Sequence, residues 1–145
     1  MHLPRYPYKT NNNFLEYEFI SAGPKGNIKK VVRLTRIASN IFNLGFGDLE
    51  ESTGEIDDIS ITNNNDSRKV LATVASIVHD FTLRYHKALV TAKGSTVSRT
   101  RLYRMGITTH WLAINADFEV FGFQNGSWWP FELQTDYDAF LIRRR

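Results

Sequence analysis

The first third of the chain alternates hydrophobic and polar residues with a period of two. Residues 15–21 and 27–37 both show this pattern, which is typical of half-buried β-strands. Residues 23–26, Gly-Pro-Lys-Gly, supply a turn, so the two segments are predicted to form a hairpin. A third strand is predicted at residues 41–46. The turn residues of 45–54 follow it, and a fourth strand is predicted at residues 56–62.

A long amphipathic helix is predicted next. Residues 63–66, Asn-Asn-Asn-Asp, carry side chains that can cap a helix start. The apolar residues that follow recur at helical spacing up to residues 85–86: Val70, Leu71, Val74, Ile77, Val78, Phe81 and Tyr85. In a chain this short the apolar side of the helix must pack across the sheet, because nothing else can cover it.

Two shorter helices are predicted after a fifth strand at residues 88–92. Thr96 or Ser98 can cap the first of them, which ends near Gly106. The threonine pair at 108–109 can start the second, which continues for a turn or two.

The last part of the chain predicts a hairpin and a final strand. Residues 118–123 alternate, an Asn-Gly pair at 125–126 favours a two-residue turn, and residues 128–133 return as an edge or bulged strand because they contain a proline. Residues 137–142 form the last predicted strand. Sequential strands joined by short turns predict the α+β class, with a largely antiparallel sheet and one long and one or two short helices packed on one face. The whole chain, residues 1–145, is predicted to be a single domain.

Composition narrows the class of protein. The 145 residues are 42% hydrophobic and 13% aromatic, which favours a packed globular domain over disorder. The absence of cysteine excludes disulfides, a thiolate nucleophile and cysteine-ligated zinc or iron–sulfur sites. No segment approaches the ~20 apolar residues of a membrane span, and no secretion signal begins the chain, so we expect a cytoplasmic protein.

Charge is distributed unevenly along the chain although the net charge is only +3. Residues 37–67 contain seven acids and no lysine or arginine, whereas residues 81–116 contain six bases and no acid. The residues up to Arg36 add seven bases against two acids, and the chain ends on three arginines. A basic surface of this kind fits a polyanion or an acidic partner protein. Acidic and basic blocks that face each other or water within the fold fit the same pattern.

The strongest candidate site is the segment from Lys93 to Arg104. A glycine leaves a strand, hydroxyl residues follow it, and a helix begins with arginine in its first turn, where the helix dipole favours acids. Backbone N–H groups at a helix start and guanidinium groups both bind phosphate or carboxylate. We therefore predict an anion site formed by Lys93, Gly94, Ser95, Thr96, Arg99, Arg101 and Arg104. An ordinary turn and helix cap, with arginines paired to acidic residues, is the alternative.

Two residues, one before this segment and one within it, fit proton transfer. His86 ends the long helix beside the basic strand, and Tyr103 lies in the second helix. With Arg101 stabilising charge on a phosphate, these are the candidate catalytic residues for cleavage of a phosphodiester without a metal. A histidine at a helix end also fits a role in balancing the helix dipole alone.

Two further groups of residues allow more than one interpretation. The carboxylates of Asp48, Asp57, Asp58 and Asp66 are the kind of ligand that Mg²⁺ or Mn²⁺ takes, but aspartate is also common in turns, and no metal is predicted. No cofactor is predicted either, and the segment from Lys93 to Arg104 lacks the spacing of a nucleotide-hydrolase phosphate loop. Finally, Trp128, Trp129 and Phe131 fit either a surface that stacks nucleobases or one end of the core.

Several segments together carry a family resemblance: residues 19–26, 43–48, 57–58, 64–66, 69–74 and 94–103. The most specific is the last, Gly-Ser-Thr-Val-Ser-Arg-Thr-Arg-Leu-Tyr. On these residues the chain resembles a family of small bacterial proteins that is frequent in Bacteroidetes. The family is classed as a domain of unknown function. The resemblance implies a single-domain cytoplasmic bacterial protein and brings no established activity or catalytic residues. Small proteins of this kind are often paired with a neighbouring gene in toxin–antitoxin fashion.

These observations lead to two hypotheses. The first is a phosphate-recognising domain for RNA or a nucleotide, which as an enzyme would be a metal-independent, RNase-like toxin with a small antitoxin-like partner. The second is a non-catalytic interaction module whose basic face binds an acidic partner protein or a second copy through the acidic residues 37–67. Neither hypothesis involves a membrane, a metal or a cofactor.

Overall fold

The computed structural model describes residues 1–57 and 63–145, and in them three helices cover one face of a β-sheet. The strands are β1 (Tyr8–Thr10), β2 (Glu16–Gly23), β3 (Gly26–Ala38), β4 (Ile41–Glu50), β5 (Glu55–Asp57), β6 (Leu89–Ala92), β7 (Phe118–Gln124), β8 (Ser127–Pro130) and β9 (Ala139–Arg144). The helices are α1 (Ser67–Arg84), α2 (Val97–Thr109) and α3 (Trp111–Asp117). Within these residues no helix combines the length and apolar character needed to cross a bilayer.

The sheet is antiparallel at all but one of its described strand pairs. The order along it is β1-β2-β3-β4-β6-β9-β7-β8, and β5 pairs with the far end of β4. The exception is the parallel pair of β4 and β6, in which residues 41–43 lie against residues 89–91. The last strand, β9, lies between β6 and β7, so the two halves of the chain build one sheet. The predicted α+β class, with a mainly antiparallel sheet, is confirmed.

The hydrophobic core lies between the sheet and the helices. Strand β4 turns Phe42, Leu44 and Phe46 toward the helices, and α1 covers this face with residues that include Ile77 and Phe81. The Phe42 and Phe81 rings meet edge to face with their centroids 5.0 Å apart. Fully burying a side chain of this size stabilises a fold by ~1.5–3 kcal/mol, so the contact of α1 with the middle of the sheet is a main source of stability. The helical spacing seen in the sequence correctly predicted α1.

The start of α1 differs from the prediction in its capping. Asp66 is the N-cap residue, but its side chain makes no capping hydrogen bond. Its carboxylate accepts hydrogen bonds from the Tyr6 hydroxyl (2.6 Å) and the Ser21 hydroxyl (2.5 Å). Asp66 therefore ties the N-terminal segment and β2 to the start of α1. The next helix, α2, continues three residues beyond its predicted end at Gly106.

The strand predictions are least accurate in the first half of the chain. Strand β1 was not predicted, because three residues carry too little pattern. The turn predicted at residues 45–54 is wrong in its first half, because β4 continues to Glu50 and pairs Gly45 with Arg33 and Gly47 with Val31. Of the strand predicted at residues 56–62, only 56–57 fall in β5, and residues 58–62 lie outside the described part of the chain.

The last two strands differ from their predicted bounds, because a loop occupies residues that were predicted as strand. Strand β8 ends at Pro130, and β9 begins at Ala139 rather than at Tyr137. Tyr137 lies over Gly122 of β7, where a Cβ atom would come within 2.3 Å of the ring. The Tyr137 hydroxyl also accepts a hydrogen bond from the Glu132 N–H (3.0 Å). These contacts hold the segment between β8 and β9 as a loop at the end of the sheet.

Candidate anion-binding cleft

The loop that joins β6 to α2 lies tightly against the first turn of that helix. A Cβ atom on Gly94 would lie 2.4 Å from the Thr100 backbone nitrogen, so only glycine fits there. The Gly94 N–H donates to the Thr100 hydroxyl (3.0 Å). Thr96, and not Ser98, caps the helix, because its hydroxyl oxygen accepts from the Arg99 N–H (3.1 Å). The loop conformation is therefore set by the close approach of Gly94 to Thr100 and by the Thr96 cap, while Lys93 and Ser95 are exposed.

An open cleft of about 530 Å³ lies where this loop meets the end of β7 and the start of β9. It takes in six of the seven residues predicted for anion binding: Lys93, Gly94, Ser95, Thr96, Arg101 and Arg104. The opposite wall is formed by Phe123 and by the loop residues Asp136, Tyr137 and Asp138. Because α2 begins at the cleft, the positive end of its dipole lies there as well.

The three cationic side chains of the cleft differ in their contacts. Arg104 pairs with Asp136 and donates to the Thr135 carbonyl (3.5 Å). Lys93 and Arg101 are exposed, and neither forms an ion pair with any residue in the described part of the chain. Three cations face two carboxylates, so the cleft keeps a positive charge. Arg101, exposed on the cleft wall and without an ion pair among the described residues, is the group best placed to bind an anion.

Arg99 faces away from this cleft, which corrects its predicted place in the anion site. Residues two apart on a helix lie about 200° apart around the axis, so Arg99 and Arg101 cannot share a face. Arg101 and Arg104 are three apart and do share one. Arg99 is only 1% exposed, and its Nη2 donates to the Phe46 carbonyl. Its guanidinium also lies over the Phe46 ring, 5.1 Å from the centroid.

The buried Arg99 donates a hydrogen bond to a part of β4 that pairs with no strand on that edge among the described residues. On the edge of β4 away from β3, strand β6 pairs with residues 41–43 and β5 pairs with residues 48–50. Between them, residues 44–47 face no strand in the described part of the chain, and Arg99 supplies a donor to the Phe46 carbonyl at this place. A Cβ atom on Gly47 would lie 2.8 Å from the Arg99 Nη2, so the glycine makes room for the guanidinium. Arg99 is thus a structural residue of the sheet.

The structure places both candidate proton-transfer residues outside the cleft. Tyr103 is 7% exposed and lines a small apolar cavity of about 60 Å³ between the helices and the sheet. His86 is exposed in the turn between α1 and β6, at the opposite end of β6 from Lys93. Neither side chain lines the cleft that contains Arg101. The three residues predicted to act together in catalysis therefore do not meet.

Two of the four aspartates considered as metal ligands, Asp48 and Asp66, are used within the fold. Asp48 pairs with the buried Lys30, which lies directly opposite it on β3. Asp66 joins Tyr6 and Ser21, as described above. Within residues 1–57 and 63–145, no three histidine, aspartate or glutamate side chains are grouped so that they could hold a metal ion. Asp58 lies outside the described residues.

An aromatic face adjoins the cleft on the side of the sheet that carries no helix. It consists of Phe121, Phe123 and Trp128, because Val120 and Phe118 of β7 point into the core and the alternate residues point away. Phe123 and Trp128 are cross-strand partners whose ring centroids lie 5.1 Å apart. Trp128 is 44% exposed. Sequence reasoning missed both phenylalanines, although the alternation at 118–123 carried the signal.

The predicted aromatic cluster is divided between the surface and the core. Trp129 is exposed and its indole N–H donates to the Gln124 carbonyl (3.1 Å). Phe131 is buried and packs against Trp111 of α3 with ring centroids 5.0 Å apart. Only Trp128 belongs to the aromatic face. Arg143 of β9 adds a cation near this face, 5.4 Å from the centroid of the Phe121 ring, and is paired with Glu119 (3.0 Å).

Comparison with known families shows which family the chain belongs to. The profile of a family described as "Family of unknown function (DUF6934)" matches residues 2–145. The chain belongs to this family. Comparisons of this DUF6934 chain with curated proteins and with solved structures each found no match. The expectation of an uncharacterised domain family is confirmed.

Proposed function

We propose that this protein binds single-stranded nucleic acid, with a backbone phosphate in the anion-binding cleft and bases on the aromatic face. The observation that carries the proposal is the position of Phe123. It lines the cleft that contains Lys93 and Arg101, and it is also the partner of Trp128 on the aromatic face. A nucleic acid whose phosphate lies in the cleft can therefore also place a neighbouring base on the aromatic face.

The cleft supplies what phosphate binding requires. The exposed guanidinium of Arg101 can donate two parallel hydrogen bonds to phosphate oxygens, and Lys93 adds a second positive charge. The Ser95 and Thr96 side chains border the same space at the start of α2, where the helix dipole favours an anion. Contacts of this kind position a phosphodiester without reading sequence.

The aromatic face favours a single strand over a duplex. Bases of a duplex are stacked on each other, whereas those of a single strand can stack on exposed rings next to a basic groove. Stacking of this kind is worth ~1–3 kcal/mol per base and tolerates any base, because every base has a π-face. We therefore expect little sequence preference.

The geometry does not support cleavage by the residues predicted for it, so the proposal is for binding. General acid–base cleavage requires a proton-transfer group within hydrogen-bond reach of the phosphate, and His86 and Tyr103 lie outside the cleft.

The proposed ligand is RNA in a bacterial cytoplasm, which is the setting implied by the family resemblance. A small antitoxin-like partner would fit that setting as a protein that covers the cleft.

A salt titration with matched variants tests the proposal. Fluorescence anisotropy of a labelled oligouridine is measured against ionic strength for the wild type, for Arg101→Ala and for Arg68→Ala. Arg68 is exposed on α1 and does not line the cleft, so it controls for the loss of one positive charge. We expect Arg101→Ala to weaken binding and to lower the salt slope by about one unit, with Arg68→Ala close to wild type.

The aromatic half of the proposal has its own variant. Trp128→Ala is expected to weaken oligouridine binding by roughly fivefold or more and to leave the salt slope unchanged, because stacking releases no counterions. Absence of binding at low salt would reject the proposal. It would favour instead the interaction module, for which the exposed acidic residues Glu50, Glu51 and Glu55 around the β4–β5 turn offer a surface.

A further inference from the structure

A second cleft lies on the other side of the molecule, between the β1–β2 region and the C-terminal end of α1. Its volume is about 520 Å³, which is within the range of sites for small molecules. The side chains that shape it are Tyr8, Lys9, Phe14, Tyr17, Asp80 and Arg84. None of these residues belongs to the anion-binding cleft or to the aromatic face.

The first sign of a ligand site is the Tyr17 hydroxyl. Tyr17 is 2% exposed, and its hydroxyl makes no hydrogen bond of normal geometry to any described residue, although the Thr10 hydroxyl lies near enough to lower the pKa of Tyr17 against the larger effect of burial. The hydroxyl of Thr10, which also lines the cleft, donates to the Glu16 carbonyl (2.8 Å). A buried hydroxyl that makes no hydrogen bond is unfavourable for the folded protein unless something else satisfies it. A ligand oxygen in the cleft would do so.

The second sign is the unusual arrangement of Arg84. Asp80 and Arg84 are four residues apart on α1, the spacing at which acid and base normally pair. They form no ion pair here: one oxygen of the Asp80 carboxylate accepts a hydrogen bond from the Tyr8 hydroxyl, and the other lies 3.8 Å from the His79 Nδ1. Burial and this hydrogen bond raise the pKa of Tyr8, so the hydroxyl stays protonated as the donor. Arg84 forms no ion pair with any residue in the described ranges, and its donors are left for a ligand.

The third sign is the way in which Arg84 is held. Its guanidinium carbon lies 3.5 Å from the centroid of the Phe14 ring. Phe14 itself has φ +59°, a left-handed conformation that is unfavourable for a bulky side chain. The Phe14 N–H donates to the Asn11 carbonyl (3.2 Å) and holds this turn. The backbone thus accepts strain at the residue whose ring supports the guanidinium, which orients the donors of Arg84 in advance.

We propose that this cleft binds a small organic carboxylate, with the carboxylate group between Arg84 and the Tyr17 hydroxyl. A guanidinium matches the two oxygens of a carboxylate side by side, and the buried hydroxyl donates a further hydrogen bond. Lys9, Arg84 and Asp80 together carry a single positive charge, which one carboxylate neutralises. The half-buried Tyr8 ring, which meets the Tyr17 ring edge to face at 5.9 Å, offers apolar surface to the rest of the ligand.

The test uses benzoate as the probe and the neutral benzamide as its matched control. Amide shifts of the ¹⁵N-labelled full-length protein are followed during each titration. We expect benzoate to cause saturable shifts at residues 8–17 and 80–84, and benzamide to cause none of comparable size. Saturable shifts confined to residues 93–104 would show that benzoate prefers the anion-binding cleft and would overturn this proposal, without bearing on nucleic-acid binding.

Two variants test the assigned groups. Tyr17→Phe removes only the hydroxyl and is expected to weaken benzoate binding about five- to tenfold, while the protein remains at least as resistant to urea as the wild type, because the lost group made no hydrogen bond. Arg84→Gln is expected to abolish saturable binding, whereas Arg68→Gln on the same helix is expected to leave it intact. Wild-type affinity in both Tyr17→Phe and Arg84→Gln would overturn the proposal.

Discussion

Replacement of the buried Arg99 by methionine separates a structural arginine from a ligand-binding one. Methionine has a similar length, so it fills the space beside Phe46 but cannot donate to the Phe46 carbonyl. Loss of a hydrogen bond from a charged group costs about 1.5–3 kcal/mol, and the loss of the guanidinium over the Phe46 ring adds to this. The exposed Arg101 is the matched control, because Arg101→Met removes the same charge from the same helix.

The assay is thermal unfolding of the wild type and both variants. For a domain of this size a loss of 1 kcal/mol lowers the Tm by about 3 °C, so Arg99→Met is expected to unfold roughly 5–9 °C below the wild type. Arg101→Met is expected to stay within about 1–2 °C of the wild type, because exposed substitutions change stability little. Oligouridine binding should show the opposite ranking, with folded Arg99→Met close to wild type. If Arg99→Met unfolds at the wild-type temperature, the structural role of Arg99 is refuted.

Two further predictions concern a loop glycine and a histidine. Gly94→Ala places a methyl group against the Thr100 backbone and is expected to cost about 1–3 kcal/mol in urea unfolding, whereas Gly45→Ala, whose nearest neighbour lies 3.6 Å away, should cost clearly less; equal losses would contradict the close-approach argument. Burial first, and then Arg144 and the N-terminus, lower the pKa of His79, although Asp117 and Asp80 act in the opposite direction. Below the ordinary histidine pKa of about 6.5, the unfolded chain binds more protons than the folded one, so stability should fall as the pH drops from roughly 7.5 to 5.5. The fall in Tm should be smaller in His79→Gln, and parallel curves for the two proteins would exclude His79 as its cause.

Much of the secondary structure was predictable because it depends on contiguous residues. The apolar residues of α1 recur at helical spacing, and the core residues of β4 and β7 alternate, whatever the rest of the chain does. The same local rule also distinguishes Arg99 from Arg101, since residues two apart on a helix cannot face the same way. The structure agrees with this rule, since Arg99 is buried against β4 and Arg101 is exposed in the cleft.

Other features depend on partners that are distant in sequence. The insertion of β9 between β6 and β7 brings Ala139 beside Phe123, and this places one wall of the cleft against the loop after β6. His86 and Lys93 are close in sequence, but the extended strand β6 separates them. Proximity in the chain was therefore a poor guide to which residues share a site.

The sequence by itself determined the fold class, the long helix and the concentration of bases between residues 93 and 104, because periodicity and charge are properties of neighbouring residues. Only the tertiary structure decided which of those bases is buried. Arg99 is held inside by an opening in the edge of β4, and that opening exists because β5 and β6, more than thirty residues apart, pair with different parts of the same strand. Such a pairing leaves no pattern in any local stretch of the chain.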